Sequence, residues 1–286
     1  MNWRIGDVEI FQIIEIPDAG GVLQDGIKQA TPQKIKNINW LYPDFADKNG
    51  KLKATVASFV FKSEGKIILV DTGNGNNKIR TDLPEWSKLN TDFLIQLNKT
   101  GIEKEKVDIV ISTHLHTDHV GWNTELADGI WKPAFPNAKY LFVKEEYEYW
   151  KTKPENEVAD DKDAFDDSVK PIIDAGLGKF IASDYRIDKN LELIPASRHT
   201  PGHIAISIKS NGEKAIFSGD FIHHPCQLEY PEWTIEYDTF PDKAVETRKK
   251  ILDEVADTNT LLIGAHFSAP TAGYVARQNG SYILRT

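Results

Sequence analysis

Apolar residues along the chain fall into short runs broken by Gly, Asp and Asn, the rhythm of strands rather than of long helices. Val8–Ile16, Thr55–Phe61, Ile67–Val70 and Val107–Ile111 read as strands, as do Leu141–Val143, Leu191–Ile194, Ile204–Ile208, Ala215–Phe217 and Leu261–Ile263. Between them, Asp82–Lys99, Lys144–Trp150, Asp163–Ala175 and Asp242–Ala256 carry apolar residues at roughly helical spacing. In the last, Ala244, Val245, Ile251, Leu252 and Val255 form a stripe, with Asp242 near the start as a candidate cap. Strands in two sets with helices interspersed imply a layered α/β domain. Neither a repeat nor a Pro/Gly/Ser-rich linker divides the chain, so residues 1–286 are expected to form one domain. Ala19–Gly50 and the charged Lys151–Asp167 look like decorations, the second a solvated loop or lid.

Composition narrows the function. Among 286 residues, 34 basic against 43 acidic side chains give a net charge of −9. That balance disfavours binding to nucleic acid or to an anionic membrane, both of which demand a basic surface. The single cysteine, Cys226, rules out an internal disulfide and a cysteine-rich structural zinc site. The N-terminal residues do not resemble a signal peptide, and no apolar run approaches the ~20 residues of a membrane span. A cytoplasmic protein acting on a small molecule is the expectation.

The chemistry concentrates at strand ends. Directly after Val107–Ile111 comes Ser112-Thr113-His114-Leu115-His116-Thr117-Asp118-His119. Three histidines and an aspartate this close are costly to bury unless something binds them, and imidazole and carboxylate are both good zinc ligands. Pro201-Gly202 makes a tight turn that would aim His203 in a fixed direction, whereas the nearby His199 reads as a turn or surface histidine. Asp220 and His266 each follow a further apolar strand, and a carboxylate can bridge two ions. The resulting expectation is His114, His116 and His203 for one metal, Asp118, His119 and His266 for a second, and Asp220 between them. Three protein ligands and a bridge leave room for water at each ion, which marks a catalytic site.

The pattern His114-x-His116-x-Asp118-His119, followed by His203, Asp220 and His266, resembles the metallo-β-lactamase superfamily over about residues 54–270. Asp71-Thr72-Gly73 is similar to that family's early turn, whose aspartate supports the metal loops. The resemblance implies an αββα sandwich with a dinuclear site at the edge of its two sheets. Two divalent ions are implied, zinc first, with manganese, iron or cobalt also accepted by these ligands. Asp220 separates the chain from true zinc β-lactamases, and the short segment after His266 separates it from glyoxalase II.

The stretch around Phe217–Gln227, and Gly264-Ala265-His266-Phe267, are similar to N-acyl-homoserine lactone lactonases and to methyl parathion hydrolase. The implied reaction is opening of a lactone or ester by a metal-bridging hydroxide, with Asp118 and Asp220 as catalytic carboxylates. An organophosphate or aryl-ester hydrolase, or a mononuclear iron oxidoreductase on the same scaffold, are the alternatives. Asp71, His223, His224, Trp122 and Phe267 are candidates for supporting the ligands or touching substrate. Trp40, Phe45, Trp122, Trp131, Tyr230 and Trp233 flank the site in sequence but fit a core more readily than a pocket. Related enzymes often pair, so a homodimer is a further expectation.

Overall fold

A computed structural model of the chain describes residues 1–155 and 157–286; Asn156, inside the 151–167 segment, lies outside the described residues. Two sheets stack face to face. The first runs, edge to edge, through Asn2–Ile5, Val8–Ile16, Val56–Ser63, Lys66–Val70, Ile109–Ile111, Lys139–Val143 and Gly178–Ile181. The second runs through Leu191–Pro195, Ile204–Ser210, Glu213–Phe217, Thr260–Ile263, Ala272–Gln278 and Ser281–Arg285.

The strand residues explain the layering. Val56–Ser63 is apolar on both faces, which suits a strand covered on both sides. Phe59 and Phe61 point to the second sheet, and Phe59 meets Phe217 with ring centroids 4.7 Å apart. Val60 faces the other way, into a cluster with Tyr140 of the same sheet and Phe93, Leu97, Trp150 and Ile172 from the overlying helices. On the far side of the second sheet, helix Pro241–Val255 buries Ala244, Arg248, Ile251, Leu252 and Val255. The order is therefore helices, sheet, sheet, helices, the αββα sandwich. Each fully buried aliphatic or aromatic side chain contributes about 1.5–3 kcal/mol towards holding these layers together.

Several local expectations need correction. Asp82–Lys99 is α-helical only over Phe93–Lys99; the earlier part holds a single 3-10 turn, Pro84–Trp86, and Leu83 and Trp86 there turn towards a cavity instead. Asp242 does not cap its helix, because Pro241 occupies the first position and Asp242 sits within the first turn. Ala19–Gly50 is no loose decoration: Ile27, Ile35, Leu41 and Phe45 are buried in the core against the second sheet. Nor is the acidic 151–167 segment wholly solvated, since helix begins at Ala159 and both Asp160 and Asp161 are buried. Among the described residues no helix is long and apolar enough to cross a membrane.

Topology places the site. Lys66–Val70, Ile109–Ile111 and Lys139–Val143 run parallel in the first sheet, and Glu213–Phe217 runs parallel to Thr260–Ile263 in the second. Parallel strands deliver their C-terminal ends to one edge, the usual position of ligand sites in such sheets. Asp71, the His114–His119 loop, Asp220 and His266 all leave from those ends.

Candidate metal centre

The histidines of this edge are oriented by what their Nδ1 atoms touch. Asp71 accepts from Thr113 N at 2.7 Å and Thr113 Oγ1 at 2.9 Å, and lies 2.9 Å from His119 Nδ1. A carboxylate only accepts, so His119 Nδ1 carries a proton and Nε2 is the nitrogen left to face an ion. Because Thr113 Oγ1 gives its proton to Asp71, it must accept from His114 Nδ1, 3.1 Å away, which bares His114 Nε2. His266 Nδ1 meets the Thr55 carbonyl at 3.0 Å, and His199 Nδ1 meets Asp238 Oδ1 at 2.9 Å. Four imidazoles thus turn their Nε2 atoms inward.

What they turn towards is Asp220. Its Oδ2 lies 3.2 Å from His266 Nε2, 3.4 Å from His119 Nε2, 3.7 Å from His199 Nε2 and 3.9 Å from His114 Nε2. Asp118 is 3.6 Å from His119 Nε2 and 3.7 Å from His266 Nε2, while His116 Nδ1 is 3.0 Å from His199 Nε2. Ligands about 2.1 Å from a tetrahedral ion stand about 3.4 Å from one another, so these separations suit atoms that share an ion. His114 Nε2, His119 Nε2 and Asp220 Oδ1 are buried and have no hydrogen-bond partner among the described residues, a costly condition that a cation would relieve. The donors that can close on an ion form four overlapping sets: His114–His116–His199, His114–His119–Asp220, Asp118–His119–His266 and His199–Asp220–His223. The residues present therefore fit two metal ions.

The electrostatics divide the imidazoles. Burial holds His114 and His199 well below the ordinary histidine range, so both are neutral and free to bind a cation. At His119 and His266 burial acts the same way, but the Asp220 and Asp118 carboxylates outweigh it. His119 is raised well above that range and His266 to about 8. Burial would raise Asp220, yet His266, His119 and His223 hold it well below the usual carboxylate range.

One expected ligand is replaced. His203 uses both ring nitrogens within the protein: Nδ1 meets the Ala196 carbonyl at 2.9 Å and Nε2 accepts from Asp220 N at 2.7 Å. It steadies the Asp220 backbone and offers no lone pair to an ion. His199, expected at a surface turn, is buried, and its donor falls in the set with His114 and His116 where His203 was expected. Asp71 contacts Thr113 and His119, at either end of the first histidine loop. His224 is saturated by the Phe45 carbonyl and Cys226 N, Trp122 donates to Glu15, and Phe267 packs on Phe45. None of these three lines the cavity above the histidines.

Other residues that hold the site escaped the sequence reading. Glu146 is buried and accepts from Leu115 N at 3.1 Å, Gly202 N at 2.7 Å and Trp150 Nε1 at 2.8 Å, tying the first histidine loop to the Pro201-Gly202 turn. Gly202 must be glycine, because a Cβ there would lie 2.6 Å from Glu146 N. Glu15 gathers Asn74 N, Gly75 N, Trp122 Nε1 and Thr91 Oγ1 behind the Asp71 turn. The one sequence signal was a lone Glu146 on a helix face otherwise given to Val143 and Trp150.

Above the histidines opens a cavity of about 240 Å³. Its walls are Val22, Leu23, Leu83, Trp86, Val158, Ile235 and Tyr237; its floor carries His116, Asp118, His199, Asp220, His223 and His266. None of the six aromatics flagged from sequence lines it. Asp160 fastens one wall to another, accepting from Thr81 N at 2.6 Å and Leu83 N at 2.9 Å, while Asp82 Oδ2 accepts from Ala159 N at 2.8 Å.

A Bacillus sp. N-acyl homoserine lactonase is 27% identical over 173 residues, 56% of this chain and 60% of that protein. A Bacillus cereus N-acyl homoserine lactonase is 26% identical over the same shares. The chain thus spans about 60% of the length of these curated relatives. Among solved structures, AidC, a dizinc quorum-quenching lactonase, superposes with a TM-score of 0.77 at 22% identity, covering 100% of this chain and 96% of that one. The hydrolase AbOPH of the beta-lactamase superfamily superposes with a TM-score of 0.79 at 26% identity, covering 99% and 95%. The sequence profile of the metallo-beta-lactamase superfamily matches residues 53–266, which include every histidine and aspartate of these ligand sets, and the chain belongs to that superfamily.

Proposed function

We propose that the chain is a two-metal hydrolase that opens a lactone carrying an apolar substituent. In this reading His114, His116 and His199 hold one ion, Asp118, His119 and His266 the other, and Asp220 serves both. The observation that carries it is the buried convergence of inward-facing imidazole nitrogens and an unpartnered Asp220 oxygen on the floor of an apolar cavity. Two bound ions, zinc first, would supply a water activated near neutral pH and an electrophilic pull on the substrate carbonyl.

The protein's own groups do the rest. Val22, Leu23, Leu83, Trp86 and Ile235 take up the apolar substituent and exclude water. That leaves the polar head to rest on the histidine floor. Asp118 stands at the cavity and can hold the proton released as water adds to the carbonyl, then return it to the departing alkoxide. Asp71, Glu146 and His203 keep these groups in register without touching substrate. The chain works as one unit, because both sheets contribute to the site. Neither a serine nor a cysteine nucleophile is needed; Cys226 is buried and its thiol is pushed up by that burial.

The lactonase names of the curated relatives support the substrate class. The apolar walls, Trp86 and Tyr237 among them, would also take an aryl group, which keeps an aryl-ester or organophosphate hydrolase as the second reading. Turnover of metal-analysed protein on homoserine lactones of short and long acyl chain, an aryl ester, a phosphotriester and a β-lactam separates them. Lactone turnover far above the others is expected. Turnover confined to the ester or phosphotriester would move the substrate and overturn the lactonase reading.

A further inference from the structure

His223 stands on the cavity floor but belongs to neither ligand set proposed above. It is buried, and among the described residues neither of its ring nitrogens has a hydrogen-bond partner, unlike those of the other seven histidines, each of which has at least one so engaged. Its Nε2 nevertheless lies 3.3 Å from Asp220 Oδ2, the same oxygen that the other imidazoles surround. The ring is aimed, not loose. Gln227 Oε1 accepts from His223 N at 2.8 Å, and Gln227 Nε2 donates to the Trp233 carbonyl at 3.0 Å, pinning the short turn after Asp220. The ring lies parallel to that of His266, 2° between planes, and its centroid is 4.8 Å from that of His199. A buried imidazole without partners costs free energy, and such a group calls for a binding partner that would repay it.

We infer that His223 is a further metal ligand, sharing Asp220 with His199. Its 3.3 Å separation from Asp220 Oδ2 matches the 3.2–3.9 Å spread of the other four imidazoles, and His199, Asp220 and His223 together form a closed donor set. The site would then hold six imidazoles and two carboxylates, a donor set for borderline cations such as zinc or cobalt rather than magnesium or calcium. The assignment rests on the two-metal reading of the site.

Two experiments test it. In wild-type protein labelled with ¹⁵N-histidine and loaded with ¹¹³Cd, six imidazoles are expected to show nitrogen–cadmium coupling: those of His114, His116, His119, His199, His223 and His266. Two ions with only five coupled rings, His223 silent, would overturn the inference and leave the two-metal reading intact; fewer than two ions would instead sink that reading. The second compares His223→Gln and His223→Ala with wild type after cobalt loading. At least a tenfold loss of affinity for one ion against a chelator is expected, with a changed visible spectrum and an unchanged melt of the metal-free protein. Unaltered affinity and spectrum, even with slower turnover, would assign His223 to substrate and overturn its role as ligand.

Discussion

Asp71→Asn isolates the support beneath one ligand set. Asp71 takes three donors at once, Thr113 N, Thr113 Oγ1 and His119 Nδ1, all within 2.9 Å. An asparagine keeps the shape and tolerates the backbone, whose φ of +52° suits Asn and Asp but few other residues. It offers one oxygen in place of two, however, and its NH₂ must face either Thr113 or His119. If the amide faces His119, two donors collide, and the ring must give up its Nδ1 proton and carry it on Nε2, the nitrogen aimed at Asp220. The loss is that of one hydrogen bond to a charged group, about 1.5–3 kcal/mol. That corresponds to roughly a 10- to 100-fold weaker hold on the ion at Asp118, His119 and His266. The other ion should weaken less, because only the Thr113–His114 contact reaches it. Chelator competition followed by metal analysis reads both affinities. Wild-type retention of both ions in Asp71→Asn would refute the argument that this carboxylate sets the His119 tautomer.

The exchange of roles between His199 and His203 makes a paired prediction: His199→Ala should lose one ion, whereas His203→Gln should keep two and lose thermal stability. Metal analysis with a melt checks it, and the reverse pattern would restore His203 as the ligand. Glu15 predicts a pH dependence. Burial lifts its carboxyl from 4.5 to about 7 against the pull of its four donors. A raised acid binds its proton more tightly in the fold, so its contribution is fully present below pH 4.5 and fades as pH rises through 7. Relative to Glu15→Gln, wild type should lose about 3 kcal/mol of stability across that window in urea titrations. A relative gain above pH 7 would mean that the four donors keep Glu15 charged and that burial does not dominate.

Much of the site was readable because an apolar run ending abruptly in Gly, Asp or His is a strand arriving at a chemical edge. Asp71, His114, His116, Asp118, His119, Asp220 and His266 all follow such runs. His199 and His203 could not be told apart on that basis. They flank one Pro-Gly turn, and what distinguishes them is tertiary: Asp238, 39 residues on from His199, and the Asp220 amide, 17 residues on from His203. The acidic segment misled for a related reason. Charge density suggests solvent, but Asp160 and Asp161 are buried where they accept backbone N–H groups from Thr81–Leu83 and Thr117. Apolar spacing over Asp82–Lys99 carried two signals at once, a real helix from Phe93 and a loop whose Leu83 and Trp86 line a cavity. Periodicity reports burial, and burial in a pocket wall looks the same as burial in a core.

Anomalous diffraction from crystals of the zinc-loaded wild-type protein tests the central claim most directly. The account predicts two peaks in each chain, one among His114, His116 and His199 and one among Asp118, His119 and His266, with Asp220 reaching both. A single peak, or peaks away from Asp220, would contradict it.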